Sequence, residues 1–258
     1  MNLKWLVLLL ILTSTGNVLR AQTQLDSLHS IWQDKAEVDS VRAKAYYIYI
    51  WKGFLNSKPD SAVVMAKQLV DYGEDYNYPK AKFFGYSIQG TVYKNKSDYS
   101  KAMEYQEKSL AIQQQKEDKK GVAATLHAMA IIYRKKGNYV KAVDYYNKSI
   151  AINKQLNNQK GIANSEVAKG VLYSMQGNYP KALEFFKSSL KRYEQLDDHN
   201  GISTSLTNIG SVYDEQNVYD SALDYYQKAM TIQKSLNNQY YVSTLLHNMG
   251  NVSLGKGN

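Results

Sequence analysis

The chain closes on Gly250-Asn-Val-Ser-Leu-Gly-Lys-Gly-Asn258, which reads G-x-x-x-x-G-K-G. A phosphate-binding loop shares that spacing of Gly and Lys but places Ser or Thr after the Lys, where this chain has Gly257. Such a loop follows a strand and opens a helix. This segment instead follows Ser-Thr-Leu-Leu-His-Asn-Met, whose spacing is helical. The four histidines, His29, His127, His199 and His247, have no partners at metal-ligand spacing. Asp197-Asp198 and Asp214-Glu215 are paired acids, but they fall where helices end and water or a helix terminus satisfies them. With no Cys, thiolate nucleophiles, disulfides and Cys-ligated metals are excluded. Nucleophile-elbow, zinc-protease and dinucleotide fingerprints are also missing from the sequence. The expectation is a chain that is not an enzyme and takes neither cofactor nor metal.

The elements around these residues repeat. Tyr99, Tyr139, Tyr179 and Tyr219 are spaced by 40, as are Ala62, Ala102, Ala142, Ala182 and Ala222. Tyr93, Tyr133, Tyr173 and Tyr213 keep the same period. So do Gly90, Gly170, Gly210 and Gly250, with Ala130 filling the missing place. Internal periodicity of this length marks a stack of identical supersecondary units.

Each period carries two amphipathic helical patterns. Tyr139, Ala142, Tyr145, Tyr146, Ser149 and Ile150 follow helical spacing, and Ile162, Val167, Gly170, Val171 and Tyr173 do so again. Between them Asn153 to Gly161 is polar and reads as turn-rich. Gly137-Asn138 and Gly177-Asn178 supply a left-handed stop followed by a helix cap, with Ser97-Asp98 as the polar equivalent. Small residues (Ala142, Ser149, Gly170) alternate with large ones (Tyr145, Tyr146, Tyr173), as two closely packed antiparallel helices require. Only 3 Pro in 258 residues leave the helices uninterrupted.

This alternation resembles the tetratricopeptide repeat. The stretches that carry the likeness are AIIYRKKGNYVKAVDYYNKS, GVLYSMQGNYPKALEFFKSS and GSVYDEQNVYDSALDYYQKA, with GTVYKNKSDYSKAMEYQEKS placing Gln106 where an aromatic is expected. The period is 40 rather than the family's common 34, which resembles kinesin light chains, Leu-Gly-Asn-type scaffolds and the outer arms of bacterial sensor kinases. The extra six residues fall around Asn157 to Ile162. The resemblance implies an all-α, right-handed superhelical solenoid of antiparallel helix hairpins over residues 43–258, about five repeats with a truncated sixth. The first of these is degenerate, with Gly53 and Pro59 at Tyr positions. Residues 22–42, including Leu-Asp-Ser-Leu-His-Ser-Ile-Trp-Gln, read as a capping helix region.

The resemblance also implies a concave groove lined by the first helix of each hairpin. Carried over by register, the groove comprises His127, Ile131, Arg134 and Lys135, then Asn164, Val167 and Val171, then Thr204, Thr207, Asn208 and Ser211, then His247, Asn248 and Asn251. Ser174, Met175 and Asp214 extend it, and Phe84, Ser87, Thr91, Lys94 and Asn95 are the earlier counterparts. Asn208 and Asn248 match the amide ladder by which some relatives hold an extended peptide, whereas Ile88, Ala128 and Ala168 interrupt it.

The first 21 residues carry Lys4, an apolar run from Trp5 to Leu12, then small and polar residues up to Ala21, the layout of a secretory signal peptide. An uncleaved anchor is the alternative. No later segment is apolar enough to span a membrane. The net charge of +9 is spread among interleaved acids rather than blocked, so nucleic-acid binding is not expected. Two functions remain. One is an exported, periplasmic or extracytoplasmic scaffold of a Gram-negative bacterium that binds a protein or extended peptide. The other is the sensory region of a longer membrane-bound histidine kinase or transcriptional regulator, attached through a C-terminal part beyond Asn258.

Overall fold

The computed structural model describes residues 23–257, so the expected signal peptide, residues 1–21, lies outside the described residues. A helix over residues 23–33 (α1) precedes α2 (Asp39–Gly53), α3 (Pro59–Asp75), α4 (Pro79–Asn95) and α5 (Tyr99–Gln115). Then follow α6 (Lys119–Lys135), α7 (Tyr139–Gln155), α8 (Gln159–Met175), α9 (Tyr179–Gln195), α10 (His199–Glu215), α11 (Tyr219–Ser235) and α12 (Gln239–Gly255). No strand occurs among the described residues. The chain divides into two units, residues 1–117 and 118–258.

The 40-residue period is two half-periods of 20. From α3 onward every helix has 17 residues, and the turns between them have three. One turn design recurs. The middle residue adopts positive φ at Asn77, Ser97, Glu117, Gly137, Asn157, Gly177, Asp197, Asn217 and Asn237. The third residue then serves two helices at once. The Asn178 N–H donates to the Tyr173 carbonyl at 2.9 Å, closing α8, while its side chain accepts from the Lys181 N–H and opens α9. Asp98, Asn138, Asn158 and Asp198 do the same. The expected turn over Asn153 to Gly161 is therefore shorter than its polarity suggests. Helix α7 runs to Gln155, and Gln159 already begins α8. The six extra residues belong mostly to helix, because a three-residue turn suffices once one Asn caps both ends.

In the first unit α1 lies on α2 and α3. Trp32 stacks on Tyr46 with centroids 4.4 Å apart and meets Tyr72 edge-on at 4.8 Å. The Arg42 Nε donates to the Trp32 carbonyl at 3.2 Å, which ties the helix end down. Phe84, expected in a groove, is instead buried in this core, stacked on Tyr47 at 4.6 Å. The aromatic-rich α2 draws it inward.

The second unit stacks the hairpins α6–α7, α8–α9 and α10–α11, followed by α12. Close approach is set by the small–large pairs. A Cβ on Gly170 would lie 2.5 Å from the Phe186 ring, and one on Gly210 would lie 2.8 Å from Tyr226. At Gly250, in the same register, a Cβ would meet nothing within 4 Å. Outside these contacts runs an aromatic ladder of Tyr133 on Tyr145, Tyr173 on Phe185 and Tyr213 on Tyr225, at 5.1, 5.5 and 5.5 Å. Lys141 and Lys181 lie over the Tyr133 and Tyr173 rings, both at 5.3 Å. Part of the Tyr enrichment and of the dispersed positive charge is used in this ladder.

One hairpin departs from the pattern. Where α6 has Leu126 and Met129, and α10 has Leu206 and Ile209, α8 has Glu166 and Lys169, both buried. Arg192 on α9 replaces the Ile of α7 and α11, and its Nε lies 3.0 Å from Glu166 Oε2. Lys169 donates to Asn147 Oδ1 at 2.9 Å and sits over the Phe185 ring at 4.3 Å. Its burial holds the ammonium below the usual Lys range, with Glu166 and Glu184 opposing.

Candidate functional site

Every residue of the sequence-derived groove from His127 to Asn251 lies on α6, α8, α10 or α12, all within the second unit. Helix α8 touches both α6 and α10 along this face. Two hollows, of about 320 and 420 Å³, open across these three helices and share His127, Lys160 and Asn164. Together they form a trough. Its floor is polar at the helix N-terminal ends and becomes apolar at Val167 and Ala168.

The side chains along it are fixed from beneath. Tyr193 on α9 donates its hydroxyl to Asn164 Oδ1 at 2.6 Å, which orients the amide. Burial, with Asp198 and Glu166 adding to it, pushes the Tyr193 hydroxyl up to about 12, so it stays a donor. His127 Nδ1 lies 3.1 Å from Ser165 Oγ, and its ring is tilted against Tyr146 at 5.4 Å. Ser149 Oγ donates to the Ala123 carbonyl at 2.8 Å, and Asn153 donates to the Ser149 carbonyl at 3.0 Å. These buried polar pairs hold α6, α7 and α8 in one register.

The trough has charged borders. Lys160 Nζ lies 2.7 Å from Asp198 Oδ2, and the ammonium holds that carboxyl below the usual carboxylate range, with the Gly201 N–H contributing. Lys120, Lys160, Asp198 and Asn200 line this edge although they lie outside the groove register of the repeat. Lys120 and Lys160 stand one period apart, which was the available signal. At the opposite edge Arg134 Nη1 contacts Met175 Sδ at 3.3 Å, and Ser174 donates to Glu215 at 2.8 Å. Burial raises the Asp214 carboxyl.

The remaining expected residues divide by what holds them. Ile131, Val167 and Val171 are half-buried, and of the three only Val167 lines the trough, where with Ala168 it gives the apolar centre. Thr204 and Thr207 donate to backbone carbonyls of their own helix, both at 2.8 Å. The amide nitrogen of Asn208 does likewise, to Thr204 at 2.9 Å, so one donor of the expected ladder is engaged by its own helix. Ser211 accepts from Tyr226 at 3.1 Å. Asn248 is half-buried on α12, while exposed His247 and Asn251 contact each other at 3.2 Å. Lys135 is exposed at the end of α6.

The closing G-x-x-x-x-G-K-G segment lies elsewhere and is mostly helix. Gly250 to Gly255 complete α12, and Lys256 caps it and pairs with Asp220 at 2.6 Å. A phosphate-cradling loop has no counterpart there. No group of three metal-ligating side chains and no helix long and apolar enough to cross a membrane occurs among the described residues.

Known proteins agree with this architecture. No curated protein matches the sequence. Among solved structures, BtubC (BKLC) from P. vanneervenii aligns with a TM-score of 0.64 and 17% identity, over 86% of this chain and 91% of that one. The apo form of RapI aligns with a TM-score of 0.64 and 20% identity, over 79% and 74%. NprR in complex with its cognate peptide NprX aligns with a TM-score of 0.55 and 15% identity, over 92% and 76%. At such identities the likeness speaks to the fold alone. The family model described as tetratricopeptide repeat matches residues 86–155 and 161–235, more than half of the chain. With its 40-residue period and its small–large packed hairpins, the chain belongs to the tetratricopeptide repeat family.

Proposed function

We propose that this chain is a non-catalytic scaffold that binds a protein or extended peptide along the α6–α8–α10 face. The observation that carries the reading is the continuous trough shared through His127, Lys160 and Asn164. It offers oriented amide and hydroxyl groups to a peptide backbone and an apolar centre to side chains, the mixture that peptide recognition uses. The complex of NprR with its cognate peptide supports the same reading by analogy of fold. The signal-like first 21 residues support action outside the cytoplasm.

The test is a double substitution, Asn164→Arg with Thr204→Arg, which fills the trough at two exposed positions. Binding of a randomised peptide pool, read by fluorescence polarisation, should fall at least tenfold, whereas Lys187→Glu on α9 should leave it unchanged. Equal binding by all three proteins overturns the reading.

A second reading, the sensory arm of a longer membrane-bound signalling protein, draws on α12. Gly250 stands where Gly170 and Gly210 meet Phe186 and Tyr226, yet its face is open, and Leu246 and Leu254, one turn away on either side, are exposed. This exposed apolar face supports the second reading. The mass of the native protein in membrane and soluble fractions distinguishes the two readings.

A further inference from the structure

Along the edge formed by the C-terminal ends of α6, α8 and α10, the charges are sorted. Arg134 and Lys135 end α6, uncharged Ser174 and Met175 end α8, and Asp214 and Glu215 end α10. The contacts of Arg134 with Met175 and of Ser174 with Glu215 place the three ends side by side. Neither cation forms an ion pair among the described residues, and the Arg134 Nε is buried with no hydrogen-bond partner there. Asp214 is half-buried, and its carboxylate borders the Tyr226 hydroxyl rather than a cation. Glu215 is exposed, accepts from Ser174 and forms no ion pair among the described residues. Two unneutralised cations and two unneutralised acids thus face the same solvent edge, separated by one neutral helix.

We infer that this edge selects and orients the bound peptide by charge. An acidic side chain sits over Arg134 and Lys135, and a basic side chain sits over Asp214 and Glu215. Neighbouring packed helices lie roughly 8–10 Å apart, but Arg134 and Glu215 both lean onto the adjacent residues Met175 and Ser174 of α8, so their charged groups are closer than the outer axes, about 10–13 Å apart. An extended chain rises about 3.3 Å per residue, which sets the acid and the base roughly three or four residues apart in the ligand. The reverse order places like charges together, so the edge works against the wrong orientation as well as for the right one. The inference rests on the peptide-binding reading and adds to it the chemistry of the ligand.

The test uses three peptide pools, Asp-Asp-X2-Lys-Lys, Asp-Asp-X2-Asp-Asp and Lys-Lys-X2-Lys-Lys, with X randomised over uncharged residues. Each is captured on immobilised protein and counted by mass spectrometry. The native protein should enrich the mixed-charge pool over both single-charge pools by about fivefold or more, as expected of paired complementary and repulsive charges. A protein carrying Arg134→Glu and Lys135→Glu, which leaves both ends of the edge acidic, should instead enrich the all-Lys pool. If that variant fails to fold, the exposed Lys135→Glu alone should still shift the ratio toward the all-Lys pool. Equal capture of the three pools by native protein, unchanged by the substitutions, overturns the charge order while leaving peptide binding intact. Capture of no pool by any of the proteins overturns the peptide-binding reading and the charge order with it.

Discussion

Replacing Glu166 by Leu should destabilise the second unit, whereas replacing Glu166, Lys169 and Arg192 together by Leu, Ile and Ile should stabilise it. The three residues occupy positions that neighbouring hairpins fill with Leu206, Ile209 and Ile232. Glu166 retains 10% side-chain exposure and Arg192 27%, so Glu166 is nearly desolvated and Arg192 only partly so. Removing one partner of a buried pair costs roughly 3–5 kcal/mol, because a charge is left without compensation. Arg192 can regain water, which brings the single substitution down to about 2–3 kcal/mol. The triple substitution removes both the charges and their desolvation, and comparable replacements gain about 1–4 kcal/mol. For a unit of this size 1 kcal/mol moves Tm by about 4 °C. The single variant should therefore melt about 8–12 °C lower and the triple variant about 4 °C or more higher, read by circular dichroism at pH 7. A triple variant as unstable as the single one would refute the claim that this cluster costs stability relative to its apolar counterparts.

Gly170→Ala should destabilise by about 1–3 kcal/mol, because its Cβ meets Phe186 at 2.5 Å, whereas Gly250→Ala, with open space, should gain up to about 1 kcal/mol from helix propensity. Gly177→Ala should cost about 1–2 kcal/mol although nothing lies within 4 Å, since φ is +70 there and the penalty is in the backbone alone. Tyr46 and Tyr193, both pushed up to about 12, hold their protons in the folded chain after the unfolded chain loses them near pH 10. Their contribution is fully present below pH 10 and disappears as pH rises toward 12, so the urea midpoint should fall across that window, and less steeply in Tyr193→Phe.

The period, the hairpin order and the turns at Gly137-Asn138, Gly177-Asn178 and Ser97-Asp98 were legible because each rests on local chemistry that recurs every 40 residues, whereas the turn after α7 was read too long. Gly177 with Asn178, and Ser97 with Asp98, announce a left-handed stop and a cap whatever packs around them. Positions whose environment differs from one hairpin to the next were not legible. Phe84 has a groove register, but the aromatic side chains of α2 bury it. Glu166 and Lys169 carry no signal of burial in the sequence, and the neighbouring Arg192 and Asn147 make their burial tolerable. Tyr193 reads as a packing residue, yet its hydroxyl orients Asn164 across the trough, a contact between residues 29 apart in sequence. The N-terminal edge of the trough, Lys160 with Asp198, likewise joins two consecutive repeats, which a search within one period does not reveal.

The central claim is that the α6–α8–α10 face is where a partner binds. A photo-crosslinking amino acid placed at position 164 in the trough, compared with one at exposed position 187 on α9, tests it most directly in the host that makes the protein. The account predicts a discrete crosslinked species from position 164 that is lost when Thr204→Arg fills the trough, and none from position 187. Crosslinking from position 187 alone, or crosslinking from position 164 that is indifferent to Thr204→Arg, would contradict it.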